Sequence, residues 1–132
     1  MADAALIDAA VKARQAAYAP YSKFRVGAAV KDERGHVHAG CNVENAAYPQ
    51  GTCAEAGAIA AMILAGGTRI VEAAVSGAGS GLVTPCGGCR QKLREFGNPG
   101  LTIHVCDERG AVRRSFTLDE LLPASFGPEN LV

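Results

Sequence analysis

Residues 70–105 read IVEAAVSGAGSGLVTPCGGCRQKLREFGNPGLTIHV, and this stretch decides the fold. Residues 70–77 read as a strand. Ala73, Ala74 and Val75 are consecutive and apolar, as in a strand covered on both faces. A Gly/Ser loop runs to Thr84. Pro85 then precedes a helix over residues 86–96, the place where proline is tolerated best. Leu101, Ile103 and Val105 alternate, which predicts the next strand. Strand, loop, helix and strand in succession belong to an α/β protein.

The flanks extend the pattern. Upstream, residues 4–18 predict a helix on the stripe Leu6, Ala10 and Ala13, stopped by Pro20. Phe24, Val26, Ala28 and Val30 alternate as a strand, and residues 37–43 return as its hairpin partner across Asp32-Glu33-Arg34-Gly35. Residues 42–52 form an irregular loop with Pro49 and Gly51. Residues 54–65 are apolar nearly all round, which predicts a buried helix ended by Gly66-Gly67. Gly57 within it costs roughly 1 kcal/mol relative to alanine and marks close packing of that helix. Downstream, the tetrapeptide Asp-Glu-Arg-Gly recurs at 107–110 and leads into a fifth strand from Val112. Thr117 and Glu120 form a capping box for a short last helix before Pro123. Residues 125–132 read as irregular. The sum is a three-layer α/β/α sandwich around a central mixed five-stranded sheet, one domain over residues 1–132.

Composition narrows the function. The chain has 132 residues, 48% of them hydrophobic and 20% charged, so it builds a core and is no disordered polyelectrolyte. Thirteen Lys plus Arg balance thirteen Asp plus Glu. Zero net charge, no tryptophan and few aromatics argue against nucleic acid as a partner, and zero charge argues against a membrane surface. The same neutrality suits a protein that covers surface by self-association. The first ten residues lack the pattern of a secretory signal, and the longest apolar run, residues 58–65, is far short of a membrane span. A cytoplasmic location is expected. There, five cysteines, an odd number, point to metal or redox chemistry rather than disulfides.

Three of those cysteines stand where helices begin. Cys86-Gly87-Gly88-Cys89 is a Cys-x-x-Cys pair that can aim two sulfurs at one ion, and Cys53 opens the preceding helix. Helix N-termini favour thiolates. Glu55 lies in the first turn beside Cys53. A redox dithiol explains Cys-x-x-Cys alone but not Cys53-Ala54-Glu55. A closed structural zinc site needs a fourth ligand, and Cys41, Cys106 and the three histidines all lack typical ligand spacing. Three ligands and an open position describe catalytic zinc, with Glu55 as general acid/base. Cys-x-Glu followed by Pro-Cys-x-x-Cys is closely related to the signature of zinc nucleobase deaminases.

With these motifs the chain resembles the small homotetrameric cytidine deaminases over nearly its whole length. The stretches that carry the resemblance are residues 20–29 (PYSKFRVGAA), 40–48 (GCNVENAAY), the zinc motifs, and 121–126 (LLPASF). It implies that Cys53, Cys86 and Cys89 hold one Zn²⁺ and that Glu55 shuttles protons. It implies that Asn42 and Glu44 bind the ribose, and that Phe24 packs on the pyrimidine. The Ala54 N–H and the Thr84 carbonyl would meet the base's polar edge. Tyr48 and Phe126 would reach a neighbouring subunit's site. The implied reaction is hydrolytic deamination of cytidine or 2′-deoxycytidine, with release of ammonia, in pyrimidine salvage. Alternatives are a deaminase of another aminopyrimidine nucleoside, such as blasticidin S, and a non-catalytic zinc-stabilised binding module. Taken singly, Phe24 reads as core, Asn42 and Glu44 as a solvated strand face, and Tyr48 and Phe126 as packing.

One position departs from the resemblance. Many three-cysteine members carry arginine directly after the glutamate, and here Ala56 stands there. Three thiolates give a zinc centre an excess negative charge, which an arginine would offset. The helix dipoles, Gln91 or another donor must do so here. Alternation turns Cys41 away from Asn42, so Cys41 and Cys106 read as buried small hydrophobes. His36, His38 and His104 read as surface or strand residues.

Overall fold

The computed structural model describes residues 2–131; Met1 and Val132, the two ends of the expected domain, lie outside them. Its strands are β1 (Val26–Asp32), β2 (Val37–Cys41), β3 (Ile70–Gly77), β4 (Thr102–Cys106) and β5 (Val112–Thr117). They form one mixed sheet in the order β2-β1-β3-β4-β5. Only β3 and β4 run parallel; the other neighbours are antiparallel. The helices are α1 (Ala4–Gln15), α2 (Ala54–Leu64), α3 (Gly87–Phe96) and α4 (Leu118–Leu121), with 3₁₀ turns at Tyr48–Gln50 and Pro128–Leu131.

Strand alternation sorts side chains onto two faces. Ala29 and Ala74 pair across one face and pack with Leu6, Ile7 and Ala10 of α1. Val30 and Ala73 pair on the other and pack with Ala58, Ile59 and Met62 of α2 and Leu93 of α3. The result is the expected three-layer α/β/α sandwich. Leu6, Met62 and Leu93 are fully buried, each contributing roughly 1.5–3 kcal/mol of burial.

Several boundaries differ from the sequence reading, for identifiable reasons. The Asp3 carboxylate caps α1 by accepting from the Ala5 and Leu6 N–H groups. That helix closes at Gln15, well before Pro20. The Ala16 and Ala17 N–H groups turn back to Ala13 O and Arg14 O, and Tyr18 leaves to pair with Val43. Proline is therefore not what stops it. Phe24 precedes β1, and β2 ends at Cys41 rather than Val43, because Val43 pairs instead with Tyr18 and Thr52. The α4 capping box is present, with both Thr117 and Glu120 engaged. The expected irregular tail contains the 3₁₀ turn Pro128–Leu131; Val132 lies outside the described residues.

The uniformly apolar α2 is not buried all round. Ala54, Ala58, Ile59 and Met62 face the sheet, while Leu64 is 91% exposed and Ile63 about half exposed. Cys41 is only half-buried, on the face opposite α2, whereas Cys106 is buried as expected. His38 in β2 and His104 in β4 are strand residues, as expected; His38 is half-buried and His104 buried, at hydrogen-bond distance from Asp32 and Glu72, and His36 is exposed.

The close packing marked by Gly57 is against β2. A Cβ on Gly40 would stand 2.3 Å from Ala58 N and 2.5 Å from Ala54 O. Only a glycine lets α2 lie this close to the sheet, and Cys53 caps the start of α2. Gly40→Ala is therefore expected to cost about 1–3 kcal/mol or more, because helix backbone and not a flexible side chain must yield. Urea unfolding measures it; an unchanged midpoint would mean that α2 can back away freely.

Candidate active site

Two helix N-termini meet at the cleft that Val26, the first residue of β1, also lines. Cys53 is the N-cap of α2 and Cys86 the N-cap of α3, both in extended backbone, and neither makes a side-chain cap bond. Both sulfurs are thus left for another partner. Cys89 follows in the first turn of α3 and is fully buried. The Cys53 and Cys86 Sγ atoms are 3.6 Å apart, and all three sulfurs lie within 4.8 Å of one another. Two thiolates on a tetrahedral zinc at ~2.3 Å stand about 3.8 Å apart, so the set fits that ion. Among the described residues no further Cys, His, Asp or Glu joins the cluster. Cys41, Cys106 and the histidines stay out of it, which leaves a three-ligand centre with one position free.

The thiols are graded. Burial first, then the charges of Glu55, Cys53 and Cys86, push the Cys89 thiol far up. Burial and the Cys86 thiol also raise Cys53. Burial opposes ionisation of Cys86 too, but the Cys89 N–H and the neighbouring thiols outweigh it and hold that thiol below its usual value. Cys86 is the sulfur poised to lose its proton first.

Glu55 stands at N2 of α2, only 5% exposed. Burial raises its carboxyl, against the opposing pull of its own backbone N–H, the Cys89 thiol and the Lys92 ammonium. A buried carboxyl with a raised pKa beside a metal centre can both accept and return a proton.

The cleft above the sulfurs has a volume of about 330 Å³, at the small end of ligand pockets. Phe24, Asn42, Glu44, Ala54 and Thr84 all line it with Cys53, Glu55 and Cys86. Asn42 braces its wall, accepting from Val26 N at 2.9 Å and donating to Phe24 O at 2.8 Å. Glu44 accepts from Tyr21 N and Ser22 N and from the Ser22 hydroxyl, and these bonds hold its carboxyl below the usual range. Tyr48, expected at a neighbour's site, borders the cleft of its own chain and is 74% exposed. Phe126 lies outside this cleft on the C-terminal segment, 57% exposed. Val26, Thr52 and Val83 also line the cleft; sequence reading passed over them because nothing local distinguishes them from core.

Residues 1–105 match the family described as the cytidine and deoxycytidylate deaminase zinc-binding region. The chain belongs to this family. It is similar to the cytidine deaminase of Sporosarcina psychrophila, 40% identical over 96% of this chain and 92% of the relative. The cytidine deaminase of Mycobacterium tuberculosis is 45% identical over 92% of this chain and 87% of its own. Among solved structures, the Burkholderia pseudomallei cytidine deaminase superposes with a TM-score of 0.87 at 44% identity, covering 96% of this chain and 100% of that one. The family's zinc-binding description agrees with the cluster of Cys53, Cys86 and Cys89.

Ala56 opens onto a second cleft, between α2 and α3, shared with Gln91, Lys92 and Glu95. Gln91, considered as a donor to the sulfurs, gives its amide to Phe126 O instead, at 2.8 Å. Positive charge near the centre comes from Lys92, whose Nζ stands 3.6 Å from where a Cβ on Gly88 would be, and from Arg90, which donates to Pro85 O at 2.8 Å and Thr84 Oγ1 at 3.1 Å.

Proposed function

We propose that this chain deaminates cytidine and 2′-deoxycytidine hydrolytically, giving the uracil nucleosides and ammonia. The observation that carries the reading is Glu55, buried on the floor of a nucleoside-sized cleft beside three convergent sulfurs. Cys53, Cys86 and Cys89 hold zinc, which when bound supplies an activated water and a Lewis acid. Glu55 takes a proton from the attacking water and delivers it to N3 of the pyrimidine. The water oxygen bonds to C4. Glu55 then takes the remaining proton of that oxygen and passes it to the departing amine, so that the C4–N4 bond breaks, C4=O forms and ammonia leaves. The Ala54 N–H is free of the helix ladder at N1 and meets the base's edge with the Thr84 carbonyl. Phe24 packs on the ring, and Asn42 and Glu44 take the ribose hydroxyls. The zinc-loaded protein should convert the cytidine absorbance spectrum to that of uridine, and a chelator-treated control should not. No conversion with zinc bound would defeat the reading.

The cleft favours a nucleoside over its phosphate. None of its lining residues is Lys, Arg or His, while Glu44 and Glu55 bring carboxylates. A 5′-phosphate would meet like charge without a counter-ion. We expect kcat/KM for deoxycytidylate to be at least ~100-fold below that for deoxycytidine, since like-charge juxtaposition costs several kcal/mol. Comparable values would show that a cation outside the cleft serves the phosphate.

A single deaminase domain over residues 1–132, assembled as a homotetramer in the cytoplasm and serving pyrimidine salvage, completes the reading. The exposed Leu64, Ile63 and Phe126 support self-association. In such an assembly Phe126 completes a neighbour's cleft, and Tyr48 stands between two. Ala56→Arg adds positive charge beside the thiolates and is expected to move the acid limb of the pH–rate profile to lower pH. An unchanged profile would argue that Lys92 and the helix dipoles already supply all the charge that matters.

A further inference from the structure

α3 presents two sulfurs at its start, and along its length it grips the end of the chain. Arg90 Nη1 donates to Leu121 O at 2.8 Å, and Gln91 Nε2 to Phe126 O at 2.8 Å. Arg94 Nε donates to Ser125 Oγ at 2.9 Å, and its Nη2 pairs with the Glu129 carboxylate. Arg94 is 7% exposed. Gly127 lies flat against this pair: a Cβ there would stand 2.2 Å from Glu129 Oε1 and 2.5 Å from Arg94 Cζ. The segment enters through Ala124 in the left-handed region, at φ 51°. Burying an arginine is costly unless it is well paired, and here it is paired wholly to the C-terminal segment. That segment buries little of its own apolar surface, since Phe126 and Leu131 are both exposed. Anchoring a chain end for stability would call for burying those two side chains. This clamp instead fixes the backbone around Phe126 and leaves the ring outside.

We infer that Arg94, through Ser125 and Glu129, is a positioning residue for substrate binding in the neighbouring subunit, because it holds the segment that presents Phe126. The inference rests on the reading that Phe126 completes a neighbour's cleft. It adds that the ring's place is set from α3, the helix that carries Cys86 and Cys89 in the donating chain.

The test uses the zinc-loaded full chain and four variants. Glu129→Ala breaks the clamp from its exposed side and leaves Arg94 its bond to Ser125 Oγ. Phe126→Ala removes the ring, the third variant combines the two, and Glu129→Asp shortens the partner while keeping its charge. Glu129→Ala should raise KM for cytidine about tenfold, the scale of one charge-assisted hydrogen bond, with kcat within about twofold. The double variant should match Phe126→Ala alone, and Glu129→Asp should recover most of the parent KM. A parent-like KM in Glu129→Ala, with KM raised in Phe126→Ala, overturns the clamp and spares the reading of Phe126. A parent-like KM in Phe126→Ala overturns the reading itself. Additive effects in the double variant, or a lowered Tm with KM unmoved, would make Arg94 purely structural. Mixing Phe126→Ala chains with Glu55→Gln chains provides an independent check on the reading. Activity should rise above either parent if the intact ring acts across subunits.

Discussion

Glu55→Gln is expected to bind zinc as the parent does and to lose about 10²–10⁴-fold in kcat, the range that positioned proton transfer contributes. The two side chains have the same shape, so the cleft and the three sulfurs are undisturbed. What changes is the capacity to carry a proton. An amide cannot take one from the attacking water, nor return one to the ring nitrogen or the leaving amine. Burial raises the Glu55 carboxyl, which brings its affinity for the proton closer to that of the groups it serves. The variant should still bind uridine or cytidine, since Phe24, Asn42 and Glu44 are untouched. Zinc content by metal analysis and single-turnover rates with cytidine separate the two roles. Near-normal turnover with zinc in place would remove Glu55 from the mechanism. Lost zinc would instead make it part of the metal centre's support.

The sequence made the metal centre legible because its determinants are local. A Cys-x-x-Cys pair and a Cys-x-Glu pair at two helix starts fix side-chain directions within one turn, before any tertiary contact is known. The Thr117/Glu120 capping box was readable for the same reason. Elements set by distant partners were not readable. Tyr18 leaves α1 to pair with Val43, twenty-five positions on, and no local signal announces it. The grip of Arg94 on Ser125 and Glu129 spans 31 and 35 positions. His104 looked like an ordinary strand residue, yet it is held between Ser115 on β5 and Glu72 on β3. α2 shows a further limit. An apolar helix without a polar face declares that it is to be covered, but periodicity cannot say which side is covered within the chain. Here the sheet covers one side, and Leu64 is left outward.

That outward apolar side and the outward Phe126 bear on the same point. Within one chain the cleft has a floor of sulfurs and Glu55, and walls from Phe24, Asn42 and Glu44. Tyr48 at its rim is mostly exposed. A site that expels water strengthens every interaction inside it. A neighbouring chain that seats on the exposed apolar surface can close the rim, so assembly and catalysis are linked in the proposed tetramer. Dilution below the dissociation range should therefore raise KM before the chain unfolds.

Removing zinc is expected to abolish turnover, lower Tm, and leave a protein whose metal affinity climbs steeply with pH. Ligation requires all three sulfurs as thiolates. In the metal-free chain ionising all three is opposed, because the sulfurs lie within 4.8 Å of one another. Cys86 is held below its usual value, but burial and neighbouring charge raise Cys53 and lift Cys89 far above the ordinary range. Near neutral pH at least two of the three remain protonated, so binding must expel about two protons or more. The apparent association constant should then rise by about a hundredfold or more per pH unit below the thiol range. Chelator competition at two pH values measures the slope, and calorimetry in buffers of different ionisation enthalpy counts the protons directly. The sign follows from the raised thiols: acid favours the apo form, and zinc is lost as pH falls. Release of only about one proton would show that Cys53 or Cys89 does not bind as a thiolate. The centre would then have two sulfur ligands, and the grading of the three thiols would need another purpose.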